Sequence, residues 1–323
     1  MIDPERLRAR RDDRRRAIRR RRRAGLAAIA AAAAVVAIVL IVALSGSGAK
    51  TVDGGGAGRA TTAATHSAPA ARPSRGGGVA TGRPGTASVP ILMYHVIAPA
   101  PPGAPFPGLY VTPQEFASQM RALKDAGWTS VTLDELDAYW RRGVSLPRGK
   151  PIVISFDNGY QSQFTKALPV LRALGWVGDE NIQLTGLPPS QGGLGDDEIR
   201  GLIAAGWELD TQGISHADLI ALTASELHEQ VAGARATIQR RYHVPVNWFC
   251  YPSGHYDASV VAAVVAAGYR GSTTVVPGWA GAREDPYRLP RLRVLGGTSA
   301  PSLLSEIAAV RNDPPPPASY GGA

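Results

Sequence analysis

Ile152-Val153-Ile154-Ser155-Phe156-Asp157-Asn158-Gly159-Tyr160 decides how this chain is read. An apolar, β-branched run enters the stretch and breaks at Asp157-Asn158-Gly159. Such a run, bounded by turn residues, predicts a strand buried on both faces, the kind found in parallel sheets. Asp, Asn and Gly also form turns on backbone grounds alone. A carboxylate at the carboxyl end of a buried parallel strand, however, stands where α/β folds place their chemistry.

Working outward, strand-like and helix-like segments alternate. Strands are predicted at 89–96, 130–131, 151–156, 182–185, 207–211, 246–251, 269–275 and 289–294. Helices are predicted from 112 to Gly127 and over about 162–174, 196–205, 224–242, 257–267 and 300–310. The first helix carries its own start signal, with Thr112 as N-cap, Pro113 at the first helical position and Glu115 placed to close a capping box. Phe116, Met120 and Leu123 then recur at helical spacing and read as core. This alternation means βα units and a largely parallel sheet, and about seven units favour a closed or nearly closed barrel.

The flanks read differently. The formal charge is +9, but residues 1–23 alone hold twelve Arg against four acids, so the basic balance belongs to a tail and gives no sign of nucleic acid as a partner. Residues 24–44 follow without a charge and, as a helix at about 1.5 Å per residue, span roughly 30 Å, the thickness of a bilayer core. Arginines on the N-terminal side predict a single-pass helix with its N-terminus in the cytoplasm. A cleavable signal peptide, cut near Ala43 and Ser45, is the alternative, although its apolar region would be shorter. Both readings put the rest of the chain outside the cytoplasm. Residues 45–88, rich in Gly, Ala, Ser, Thr and Pro, predict a disordered linker, and residues 312–323 a disordered tail. One domain, 89–311, remains. Its lone cysteine, Cys250, excludes an intramolecular disulfide.

Polar residues gather at the predicted strand ends: His95, Asp157-Asn158, Asp210-Thr211-Gln212 with His216, and the loop Tyr251-Pro252-Ser253-Gly254-His255. With Tyr94-His95, Ser155 to Tyr160, the segment 207–219 and Phe249 to Gly254 in this order, the domain resembles the polysaccharide deacetylases of carbohydrate esterase family 4. That resemblance implies a distorted (β/α)7 barrel. Met93-Tyr94-His95 is similar to the branch whose catalytic acid comes from the first strand, as in extracellular poly-N-acetylglucosamine deacetylases. Position by position, the resemblance implies Asp157 as general base, His95 as acid and Arg291 as the residue orienting the base. It puts Asn158, Gln212 and His216 at the metal-ligand positions, and Tyr251, Ser253 and Gly254 at the loop that meets the oxyanion and substrate.

The activity implied is hydrolysis of N-acetyl groups on a cell-envelope polysaccharide, of peptidoglycan or poly-N-acetylglucosamine type. A divalent metal, Zn first, lowers the pKa of a water and polarises the carbonyl. A carboxylate takes one proton and an imidazole returns one to the departing amine. Asn158 and Gln212 depart from the usual pattern, because amide oxygens are poor Zn ligands beside carboxylate or imidazole. Asp210, two residues before Gln212, and His255 in the adjacent loop are the two candidates for a substitute ligand, against the reading of each as an ordinary polar residue. The alternative is a relative that binds glycan or a partner protein without hydrolysis. Trp248, Trp279 and Tyr251 are the candidate sugar-stacking aromatics, although aromatics of this kind are more often core.

Overall fold

The computed structural model of the protein describes residues 82–185, 187 and 192–322. The basic tail, the apolar run 24–44 and most of the linker therefore lie outside the described residues. Among the described residues no helix is long and apolar enough to cross a membrane.

The fold is a curled, largely parallel α/β sheet. Its strands are β1 (Val89–Tyr94), β2 (Trp128–Ser130), β3 (Lys150–Asn158), β4 (Asp179–Ile182), β5 (Glu208–Thr211), β6 (Trp248–Cys250), β7 (Gly271–Thr273), β8 (Trp279–Ala280) and β9 (Leu292–Arg293). They pair in the order β7-β6-β5-β4-β3-β1-β8, with β2 beside β3 and β9 beside β1. All of these pairs are parallel except β1 with β8. The curl brings the far end back. Leu289 donates to Ser272 O and accepts from Thr274 N, while Leu292 pairs with Leu92 of β1.

Helices α1 (Pro113–Asp125), α2 (Leu133–Arg142), α3 (Leu168–Ala173), α4 (Asp196–Ala204), α5 (Ala224–His228), α6 (Ala234–Tyr242), α7 (Ala258–Ala266) and α8 (Ala300–Ala309) cover the outer face. Thr112 and Glu115 do form the capping box of α1. The outer core packs Phe116, Phe156 and Trp207 between sheet and helices, with Phe156 stacked 4.9 Å from Trp207. Leu209, Phe249 and Tyr269 belong to a second outer cluster. Val89, Ile91, Val131, Leu133 and Trp248 form a separate cluster with Val153.

Two expectations are corrected. The fourth strand occupies Asp179–Ile182, not 182–185, because Asp179, Glu180, Asn181 and Ile182 pair in register with Ser155 to Asn158. Instead of a disordered tail, the C-terminal segment docks. Tyr256 and Tyr320 exchange backbone hydrogen bonds of 2.8 and 2.9 Å, Tyr256 Oη donates to Pro317 O at 2.7 Å, and Pro316 is buried. Proline fixes φ and lowers the entropy lost on docking, which offsets the scarcity of apolar side chains. Three such bonds at about 1 kcal/mol net each predict that deleting 314–323 lowers Tm by roughly 6–12 °C. Calorimetry on the full and truncated chains checks this, and equal Tm values would show that the segment contributes nothing.

Candidate active site

The expected site residues converge at the carboxyl ends of β1, β3 and β5 and in the loop after β6. A cleft of about 820 Å³ opens there, lined by His95, Asp157, Asn158, Gln212, His216, Tyr251, Ser253 and Gly254. Arg291 stands behind its floor, fully buried.

Asp157 and Arg291 form the core of this arrangement. Arg291 Nη1 donates to Asp157 Oδ1 at 2.7 Å and Nη2 to Oδ2 at 2.8 Å, a bidentate pair. Arg291 also donates to Thr274 O, Ser155 Oγ and Cys250 Sγ. Asn181 Nδ2 adds a 3.0 Å bond to Asp157 Oδ1. Burial alone works against the Asp157 charge, but Arg291 outweighs it and holds the carboxyl at about 2. Burial likewise opposes the guanidinium, and Asp157 more than offsets it, so the Arg291 pKa is raised.

His95 Nε2 lies 4.0 Å from Asp157 Oδ2. Burial is the main cause that pushes its pKa down to about 4, against the pull of Asp157 and with help from Arg291, Arg293 and His216. The imidazole is therefore neutral at neutral pH. Gln163, buried under the site, fixes the two strand ends by donating to both His95 O and Asp157 O, at 2.9 and 2.8 Å.

Backbone strain collects here. Four non-glycine residues have left-handed φ among the described residues, and three line the cleft: Asn158 (79°), His216 (51°) and Ser253 (55°). Each costs of order 1 kcal/mol and persists only where its surroundings enforce it. Asn tolerates this region better than most residues, and Gly159 follows with φ 89°, so Asp157-Asn158-Gly159 is a strand end forced into a sharp turn. In the Tyr251–Gly254 loop the Tyr251 N–H is spent on Thr273 O and the Gly254 N–H on Tyr251 O. Ser253, between them, lines the cleft with φ 55°.

The expected metal ligands do not fit a divalent zinc centre. His216 offers an imidazole whose pKa burial lowers. Asn158 donates its amide nitrogen to Gln183 Oε1 at 2.7 Å, and Gln212 Oε1 is buried without a partner. One imidazole and two neutral amides lack the carboxylate and second imidazole such a centre takes. Among the described residues no three His, Cys, Asp or Glu converge to hold a metal. Neither candidate substitute supplies a ligand. Asp210 is fully buried away from the cleft and accepts the Asn247 and Trp248 N–H groups, at 3.0 and 2.9 Å. His255 lines the cleft but turns Nδ1 to Asp218, 3.1 Å away.

None of the three candidate stacking aromatics is an exposed ring, although Tyr251 reaches the cleft lining. Trp248 and Tyr251 are buried, and the Trp279 indole packs on Trp128 and donates to Ile307 O. Asn181, Gln163 and Gln183 had not been singled out. Asn181 had one available signal, its pairing with Asp157 on the neighbouring strand, which depends on the register of β4.

Comparison with known proteins bears on the fold. The family model for polysaccharide deacetylase matches residues 146–272. YxkH of Bacillus subtilis, a protein named a polysaccharide deacetylase only provisionally, is 26% identical over 226 residues, covering 70% of this chain and 78% of that protein. The poly-beta-1,6-N-acetyl-D-glucosamine N-deacetylase of Escherichia coli K12 is 36% identical over 58 residues, 18% of this chain and 8% of the enzyme. Among solved structures, BC0361, a polysaccharide deacetylase from Bacillus cereus, is 26% identical with a TM-score of 0.61, covering 69% of each chain. Fold, motif order and these relatives lead to one conclusion: the chain carries a polysaccharide deacetylase domain, matched over residues 146–272.

Proposed function

We propose that this protein removes N-acetyl groups from a cell-envelope polysaccharide, tethered to the membrane by residues 24–44 with the domain outside the cytoplasm. The observation that carries the chemical part is the Arg291–Asp157–His95 line, which ends in an open cleft that Ser253 also lines. The arginine-rich start followed by 21 uncharged residues supports the tether.

The reaction needs a C–O bond to form, the C–N bond to break and a proton to reach the nitrogen. Asp157, ionised above about pH 2, accepts the proton of the attacking water. His95, neutral above about pH 4 and 4.0 Å from Asp157, receives that proton through one bridging water and passes it to the departing amine. The transfer runs from the weaker base to the stronger. The resulting imidazolium is stabilised by the Asp157 carboxylate beside it. Ser253 N–H meets the tetrahedral oxyanion. Acetate and a free amine are the products.

A second reading rests on the donor set around His216. With amides at two of the implied ligand positions, the cleft suits glycan binding without turnover. Acetate release from chitooligosaccharides and from peptidoglycan separates the two. The first reading expects release, a loss of at least 100-fold in Asp157→Asn, and kcat/KM that is flat near neutrality but falls as pH drops through about 4, where His95 takes up a proton in the free protein. Glycan binding with no acetate from any of these substrates supports the second reading. An activity optimum below pH 4 contradicts the proton path.

A further inference from the structure

The lining of the cleft is of two kinds. Gln212, Ser215, His216 and Ser253 are polar, and Pro105, Phe106, Leu109 and Tyr110 come from the segment after β1. Phe106 is 68% exposed, the most exposed large hydrophobic side chain among the described residues, and the other two, Val265 and Leu295, lie outside the cleft. A single exposed apolar residue is normal in itself. Phe106 differs because its loop is pinned: Val96 N donates to Leu109 O, Val111 N to Val96 O, Leu109 N to Phe106 O and Gly296 N to Gly108 O. Pro105 and Pro107 fix the backbone on either side. An aromatic ring is thus held in water at the cleft mouth, with little left to lose on binding.

We propose that Phe106 is the sugar-stacking platform of this cleft. It takes the C–H face of a pyranose ring in an N-acetylhexosamine chain, one or more residues away from the unit offered to Asp157 and His95. The polar lining residues then receive the hydroxyl and acetamido groups of the same chain. Aromatic faces suit this task because they bury a large area at low entropy cost, and a flat apolar face needs no hydrogen-bond partner. The inference rests on the glycan reading above, and it assigns a substrate-length preference to a loop that contributes nothing to the proton path.

The test measures binding of a chitopentaose and of N-acetylglucosamine to the full protein by calorimetry, alongside acetate release. Phe106→Ala is expected to weaken pentaose binding about 10-fold, or about 1.4 kcal/mol, with the loss appearing in KM and the monosaccharide unaffected. Phe106→Trp is expected to keep or tighten pentaose binding. Pentaose affinity unchanged in Phe106→Ala, or lost equally in Phe106→Trp, overturns the platform, as does a parent that binds no pentaose. Binding that depends on Phe106 without any acetate leaves the platform standing and removes the hydrolase reading. Acetate release with a KM indifferent to Phe106 does the reverse.

Discussion

Arg291→Met removes all turnover and lowers folding stability by about 3–5 kcal/mol, the usual cost of leaving one partner of a buried pair alone. Both side chains are essentially sealed from solvent, so no water replaces the guanidinium. Five hydrogen bonds from Arg291 disappear together, two of them to Asp157. In a domain of this size that corresponds to a Tm lower by roughly 6–20 °C. The pH dependence follows with a definite sign. Asp157 now has a pKa below its unfolded value, so its contribution is present above about pH 4 and lost as pH falls towards 2. Without Arg291 the carboxyl no longer prefers its charged form, and that acid-side loss vanishes because nothing is left to lose. Arg291→Lys fails as well, since an ammonium cannot make the bidentate contact. The double variant Arg291→Met/Asp157→Leu is expected to recover most of the stability and none of the activity. Thermal unfolding and acetate release on the three variants read this out. An Arg291→Met protein within 1 kcal/mol of the parent would remove the ion pair from the centre of the fold.

How much of this was legible in the chain varies with the range of the interaction. Asp157 at the end of a buried parallel strand followed from the apolar run into Asp-Asn-Gly, and its position at a curled sheet's carboxyl edge is what the strand pairing shows. Arg291 was identifiable only through the resemblance, because 134 residues separate it from Asp157 and no local pattern links them. Helix α2 was missed although its capping box, Thr132 with Glu135, and its left-handed stop at Gly143 are local signals. The displacement of β4 has a physical reason: Asp179-Glu180-Asn181 has the composition of a loop, and only registry with β3 makes it a strand. The aromatic expectation failed because a tryptophan is more often core than surface, while the exposed ring belongs to a phenylalanine in a proline-rich loop.

The same unusual strand leads to a second large effect, on stability against pH. Asp179, Glu180, Glu208 and Asp210 are all buried, and burial raises the pKa of each, Asp210 to about 7. Asp134, itself joined to Asn247 and Arg270, adds negative charge near Asp210, while the Asn247 and Trp248 N–H groups that Asp210 accepts pull the other way. These carboxyls therefore hold protons in the folded state that the unfolded chain releases above about pH 4. Where the folded state binds more protons, stability falls as pH rises. His95 and His216, whose pKa values are lowered, oppose this between about pH 4 and 6.5, because there the unfolded chain binds the extra proton. Four raised carboxyls outnumber two lowered imidazoles, so stability peaks in the mildly acidic range and declines towards pH 8. Each net proton retained is worth about 1.4 kcal/mol per pH unit, so even one lowers Tm by roughly 6–12 °C between pH 5 and pH 7. Glu180 isolates the cause. It sits between Phe156 and Leu209 in neighbouring strands, and neither of its carboxyl oxygens has a hydrogen-bond partner. Glu180→Met keeps the length of the side chain and removes the acid, so it is expected to stabilise by about 1–3 kcal/mol at pH 8 and by less at pH 5. Calorimetry of parent and variant across pH 5 to 8 tests both parts. A parent whose Tm rises steadily to pH 8, or a variant whose gain does not grow with pH, would mean that these buried acids do not hold their protons.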